Sequence, residues 1–144
     1  MRFGYCLDLS HILLGDDIFQ AVRTAGYDYI ETQLTKLLAL PPAEYGVVKR
    51  RLAETGLPCL AAMMVFPHDM PLVSEGRDLR VLEEHAKRTL AIAADLGCET
   101  VVFGHGGTRR VPVGMDYGAA RARLTDVLRV LDGMAAALGL KSAV

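Results

Sequence analysis

"DLGCETVVFG", residues Asp95–Gly104, holds the end of one segment, a glycine and the start of another. The polar-apolar mixture before Gly97 has a helical period, and the run after it is apolar with β-branched residues. The same design recurs in "TAGYDYIET" (Thr24–Thr32), "ETGLPCLAA" (Glu54–Ala62) and "ALGLKSAV" (Ala137–Val144). Each time a helix-like segment ends at a glycine, namely Gly26, Gly56, Gly97 or Gly139, and a strand-like run follows. Glycine just past a helix enters the left-handed region without the steric cost of a Cβ. These glycines lie about 30 to 40 residues apart, the size of a βα unit with its loop.

Working outward, the strands are expected over Arg2–Leu9, Tyr27–Thr32, Pro58–Phe66 and Glu99–Gly104. The third and fourth are almost wholly apolar, as parallel strands covered on both faces are. The first helix is expected to be capped by Asp16 or Asp17 and to run to about Ala25. The second opens at Pro42 and ends near Thr55. The third spans about Asp78–Leu96, with Glu83/Lys87 and Glu84/Arg88 spaced to face water. The fourth spans about Asp116–Leu138 and carries an apolar face from Ala120 through Leu124, Val127, Leu131 and Ala135. Arg123, Asp126, Arg129 and Asp132 form another face, read as solvated. "LKSAV" then starts a fifth strand. Strict alternation implies a parallel α/β sheet, either doubly wound or part of a barrel. A whole (βα)8 barrel takes ~250 residues, so four units in 144 residues make about half of one. The expected architecture is a single domain over residues 1–144, a parallel (βα)4 half of a TIM-type barrel with the start of a fifth strand.

Bulk properties set limits on function. Apolar residues make up 51% of the chain, charged residues 23%, and the net charge is -1. This balance points to a globular chain and away from binding nucleic acid or membranes through bulk charge. Apolar runs fall short of the ~18 residues of a membrane span, and MRFGYCLDLS lacks the pattern of a secretion signal. Cys6, Cys59 and Cys98 are odd in number, widely spaced and set in apolar runs, so buried reduced thiols in a cytoplasmic protein are expected.

Parallel α/β folds place their sites at the C-terminal ends of the strands. That rule selects Asp8 and His11, then Glu31 and Gln33, then His68 and Asp69, and finally His105, Arg109 and Arg110. The Gly104–Gly107 loop offers successive backbone N–H groups to an anion, with Arg109 or Arg110 adding charge. It matches neither a Walker-type loop nor the dinucleotide pattern, and a tight turn needing positive φ explains the glycines equally well. His68 and His105 would project from adjacent strand ends, where two imidazoles and a carboxylate such as Glu31 or Asp69 suit a divalent ion. Ser10 and Ser74 lie in no nucleophile motif.

"GYDYIET" on the second strand, "FPHD" closing the third, and "VVFGHGGTRRVPVG" before a long helix resemble the sugar-phosphate isomerase/epimerase superfamily. These are xylose-isomerase-like (βα)8 barrels that include ketose epimerases and a DNA-repair endonuclease acting at abasic sites. The resemblance covers nearly the whole chain but only the first half of that barrel. It implies a small sugar-like substrate, with Tyr5, Glu31, His68, His105, Arg109 and Arg110 facing it. It also implies a divalent metal (Mn, Co, Mg or Zn) for the full family barrel. The endonuclease branch suggests His68 and His105 as metal ligands. Epimerase-type members hold their ion with Glu, Asp, His and Glu from strands five to eight, which by this resemblance fall at or past Val144. The chain alone is therefore expected to lack the proton-moving centre.

Two classes of function follow. One is a metal-dependent sugar or sugar-phosphate isomerase/epimerase-like protein, in which the metal polarises a carbonyl and a carboxylate removes the α-proton. The other is a noncatalytic half-barrel that self-assembles, or an endonuclease-like metal-binding relative. In the second class the edges of an open four-stranded sheet, strand one and strand four with its apolar "VVFG", are covered by another copy. A homo-oligomer is expected on that ground.

Overall fold

The computed structural model describes residues 1–15, 18–104 and 106–144. Five strands alternate with helices: β1 (Gly4–Cys6), β2 (Tyr29–Gln33), β3 (Cys59–Met63), β4 (Thr100–Val102) and β5 (Lys141–Ala143). All neighbours are parallel, in the order β1-β2-β3-β4-β5. A sheet in sequence order, with a helix returning the chain after each strand, is the winding of a TIM-type barrel.

The helices are α1 (Ile18–Thr24), α2 (Leu34–Leu38), α3 (Pro42–Thr55), α4 (Leu79–Asp95) and α5 (Tyr117–Ala137). Asp78 and Asp116 cap α4 and α5, each accepting a hydrogen bond from a backbone N–H of the first turn. Pro42 opens α3 and Gly56 ends it at φ 69°. The four repeat glycines all take positive φ, which is the physical content of the repeat. The expected caps Asp16 and Asp17 lie outside the described residues.

Several expected boundaries need correction. β1, β3 and β4 are shorter at both ends than the expected runs, while β2 starts two residues later and ends one residue later than expected. Leu9 leaves the sheet for a 3-10 helix, Leu9–Leu14, capped by the Asp8 side chain. Phe66 and Phe103 lie past β3 and β4 and fill the core instead, with ring centroids 6.0 Å apart. The short helix α2 was not expected. β4 is not an edge, because β5 pairs with it; the edges are β1 and β5. Of the three cysteines only Cys59 and Cys98 are buried, and Cys6 is exposed.

Register explains which side chains point where. Thr32, Ala62 and Val101 are buried, facing the helices, and Ser142 in the same row hydrogen-bonds Asp132 of α5. The adjacent row, Cys6–Glu31–Ala61–Thr100–Lys141, therefore points to the opposite face, which no helix covers among the described residues. Gln33, Met63, Val102 and Ala143 form the next row toward the C-terminal rim. At the other end, Gly4 makes room for the Tyr29 ring: a Cβ there would lie 2.3 Å from Tyr29 Cε2.

The charged face of α5 is not simply solvated. Arg77 donates to the Arg123 carbonyl at 2.7 Å and lies 3.8 Å from Asp126. Arg123 donates back to the Val73 carbonyl at 3.3 Å. The long connection from β3 to α4 is thereby tied to α5.

Candidate functional site at the C-terminal rim

β1 delivers Asp8 to the rim, and α2, directly after β2, delivers Lys36. Their charged groups meet at 2.9 Å. Asp8 Oδ1 also accepts from the Ser10 amide at 3.0 Å and the Ser10 hydroxyl at 2.7 Å. Burial pushes the Asp8 carboxyl up, but the Lys36 and Ser10 hydrogen bonds outweigh it and hold the group below the usual range. His11 Nε2 lies 4.0 Å from the same carboxylate. Sequence reading selected Asp8 and His11 but missed Lys36, whose pairing with Asp8 is tertiary.

Glu31 behaves in the opposite way. It is half-buried on the open face, between Cys6 and Ala61 in its row. Burial raises its pKa. The neighbouring Cys6 thiol is also raised, first by burial and then by Glu31. A carboxyl beside the small Ala61 side chain can exchange hydrogen bonds with a ligand hydroxyl.

Tyr5 is in register with Ile30, a fully buried residue of the helix side. Its ring meets Tyr27 edge-on at 5.1 Å and packs against the core. The structure thus places Tyr5 on the face opposite Glu31. His68 and Asp69 are exposed in a turn closed by the Met70 amide on the Pro67 carbonyl at 3.1 Å. Just before that turn, Met64 takes φ 58°, the one non-glycine positive φ among the described residues. His105 lies outside the described residues, and so does its expected pairing with His68.

The glycine-rich loop after β4 forms a 3-10 turn, Gly107–Arg109. The Arg109 and Arg110 amides donate to the carbonyls of Gly106 and Gly107, so these two are spent within the turn rather than open to an anion. Arg109 folds back over Phe103, 5.8 Å from the ring centroid, and its guanidinium donates to the Gly104 carbonyl at 3.4 Å. The Leu72 amide donates to the Thr108 carbonyl at 2.9 Å, joining this loop to the β3–α4 connection. Positive φ occurs at Gly114, not at Gly104 or Gly106. Arg110 is exposed.

Among the described residues no three His, Cys, Asp or Glu side chains converge as metal ligands. Asp8 is already held by Lys36 and Ser10, and Glu31 stands in its row between Cys6 and Ala61, so the described rim side chains do not gather to fit a divalent ion. His85 on α4 is a packing residue, stacked on Phe66 at 5.8 Å, and burial lowers its pKa. An apolar cavity of about 270 Å³ lies on the helix side, lined by Val101, Phe103, Leu128 and Leu131. It is remote from the Glu31 face. No helix is long and apolar enough to cross a membrane among the described residues.

No curated protein matches the sequence. Solved structures match well in shape. A D-psicose 3-epimerase is 18% identical, with a TM-score of 0.75 over 99% of this chain and 51% of that one. A 3-keto-D-glucoside 4-epimerase from E. coli is 20% identical, with a TM-score of 0.70 over 99% of this chain and 54% of that one. A probable 3-DHS dehydratase from Bacillus anthracis is 17% identical, with a TM-score of 0.70 over 99% of this chain and 51% of that one. The chain thus spans about half the length of these structures. Identities this low speak to the fold alone. The family model described as a xylose isomerase-like TIM barrel matches residues 19–144, so the chain belongs to that family.

Proposed function

We propose that this chain forms the sugar-facing wall of an isomerase/epimerase-type barrel, contributed by its first strands. The observation that carries the reading is Glu31: a carboxyl with raised pKa on the open sheet face, in a family fold shared with sugar epimerases. A sugar presents hydroxyl and carbonyl groups at fixed spacing. Glu31 and Gln33 on β2 and Thr100 on β4 offer carboxyl, amide and hydroxyl partners on one face, across β3. Met63 and Val102 between them offer apolar surface to the C–H faces of the ring. Arg110 and His68 stand on loops at the same end and extend the wall outward.

In this reading the chain binds and orients a small sugar-like molecule, and any metal belongs to the rest of such a barrel. Turnover by the chain alone is not expected, because the described rim has no set of ligands to fix an ion against a substrate carbonyl. The reading also includes self-association through the edges of the sheet, and residence in the cytoplasm. The test is calorimetry with manganese, cobalt, magnesium and zinc in turn, beside a ketose epimerisation assay on the purified chain. The expected result is no turnover with any ion. Turnover that vanishes with a chelator and with Glu31→Gln would overturn the proposal and put the reacting centre on β1–β4.

A further inference from the structure

At the opposite end of the sheet, a pair of sulfurs stands outside the proposed function. The register Ala61↔Thr100 extends back to set Cys59 beside Cys98, and the Glu99 amide donates to the Leu60 carbonyl at 2.8 Å between them. The two Sγ atoms are 3.8 Å apart and hydrogen-bonded. Cys59 is 1% exposed and Cys98 7%. Neighbouring strands run ~4.8 Å apart, inside the range of Cα separations a disulfide spans. A groove of about 420 Å³, lined by Lys49, Gly56, Pro58, Asp95 and Leu96, opens against Cys59.

We propose that Cys59 and Cys98 are an oxidation site, a dithiol that closes to an intramolecular disulfide when a peroxide enters this groove. Cys59 lines the groove, so its sulfur meets the peroxide first, and Cys98, hydrogen-bonded to it, is the second partner. The Cys59 sulfur attacks one peroxide oxygen, the O–O bond breaks, the sulfur becomes a sulfenic acid, and the departing hydroxide takes the thiol proton as water. The Cys98 sulfur then attacks the Cys59 sulfur. The S–O bond breaks, the S–S bond forms, and the Cys98 proton leaves with the departing oxygen in water. Two thiols are oxidised and one peroxide is reduced to two waters. Bond formation closes the sulfurs from 3.8 Å to about 2.05 Å. The site lies at the N-terminal ends of β3 and β4, so its chemistry is separate from that of the rim.

The test uses the full chain with Cys6→Ser, which leaves these two thiols alone. The protein is treated with hydrogen peroxide, denatured, alkylated and weighed, and its peptides are mapped without reductant. The expected product is lighter by two hydrogens, takes up no alkylating reagent, joins the Cys59 and Cys98 peptides, and reverts with dithiothreitol. Its melting midpoint rises by about 5–10 °C over the reduced form. Oxygen retained on either sulfur without a cross-link, two thiols still open to alkylation, or a link between chains would overturn the proposal. If Cys6→Ser fails to fold, peptide mapping of the unsubstituted chain gives the same readout, because the exposed Cys6 is resolved by its own peptide.

Discussion

Asp8 and Glu31 belong to the same end of the sheet, and their environments push their ionisation in opposite directions. Asp8 is the more buried, yet Lys36 and Ser10 keep it charged. Its folded pKa lies below the unfolded one, so its stabilisation is present above the ordinary carboxylate range and fades as pH falls through the folded value. Asp8→Asn is expected to cost about 1–2 kcal/mol at neutral pH, through the weakened 3-10 cap and an unpaired Lys36. Urea unfolding across acidic pH should then show a shallower acid limb than the unsubstituted chain. An unchanged limb would mean that Lys36 does not hold Asp8. Glu31 has the reverse sign: its folded pKa is raised, so its contribution to stability declines as pH rises through that value. The group is only partly buried, so solvent screening keeps this cost to a fraction of a kcal/mol. A destabilising carboxyl kept on an open face is what a ligand-facing role predicts.

At the scale of elements, the helix ends were the most legible part of the sequence. Pro42–Thr55 appears as a helix with the limits that Pro42 and Gly56 suggest, and Asp78 and Asp116 are caps because aspartate satisfies first-turn amides. Gly97→Ala is expected to cost about 1 kcal/mol in thermal or urea unfolding, because φ is 78° although the space beside it is open. No loss of stability would show that the helix end can be rebuilt without a left-handed residue. The strand limits were less legible. An apolar run marks burial, and Phe66 and Phe103 are buried beyond the last paired residues. α2 was hidden for a related reason: "LTKLL" follows β2 with no glycine or proline between them, so one apolar run holds two elements. The Lys36 contact was hidden with it, since pairing across 28 positions leaves no local pattern. The glycine-rich loop could be read either as an anion cradle or as a tight turn. Two of its amides close on the loop's own carbonyls and Arg109 packs on Phe103, which is turn behaviour, although without the positive φ expected there.

For the molecule as a whole, the repeat of glycine-ended helices was enough to imply a parallel sheet, but its winding stayed open between doubly wound and barrel until chain length and the family resemblance pointed to a half-barrel, and the order β1-β2-β3-β4-β5 is that of a barrel. The position of β5 was under-read. Three short paired residues move the edge of the sheet from β4 to β5 and leave β1 exposed at the other side. Each edge presents unpaired backbone groups, so sedimentation at micromolar concentration is expected to show a dimer or larger species. A stable monomer across that range would count against the self-association in our reading. The central claim is that the uncovered face between these edges, not the apolar cavity under α5, receives the sugar. The most direct measurement is an amide and methyl NMR titration of the chain with D-fructose to high millimolar concentration. Shifts are expected to concentrate at Glu31, Gln33, Met63 and Thr100 and in the loop over residues 106–110. Shifts centred on Val101, Leu128 and Leu131, or none at any sugar concentration, would contradict it.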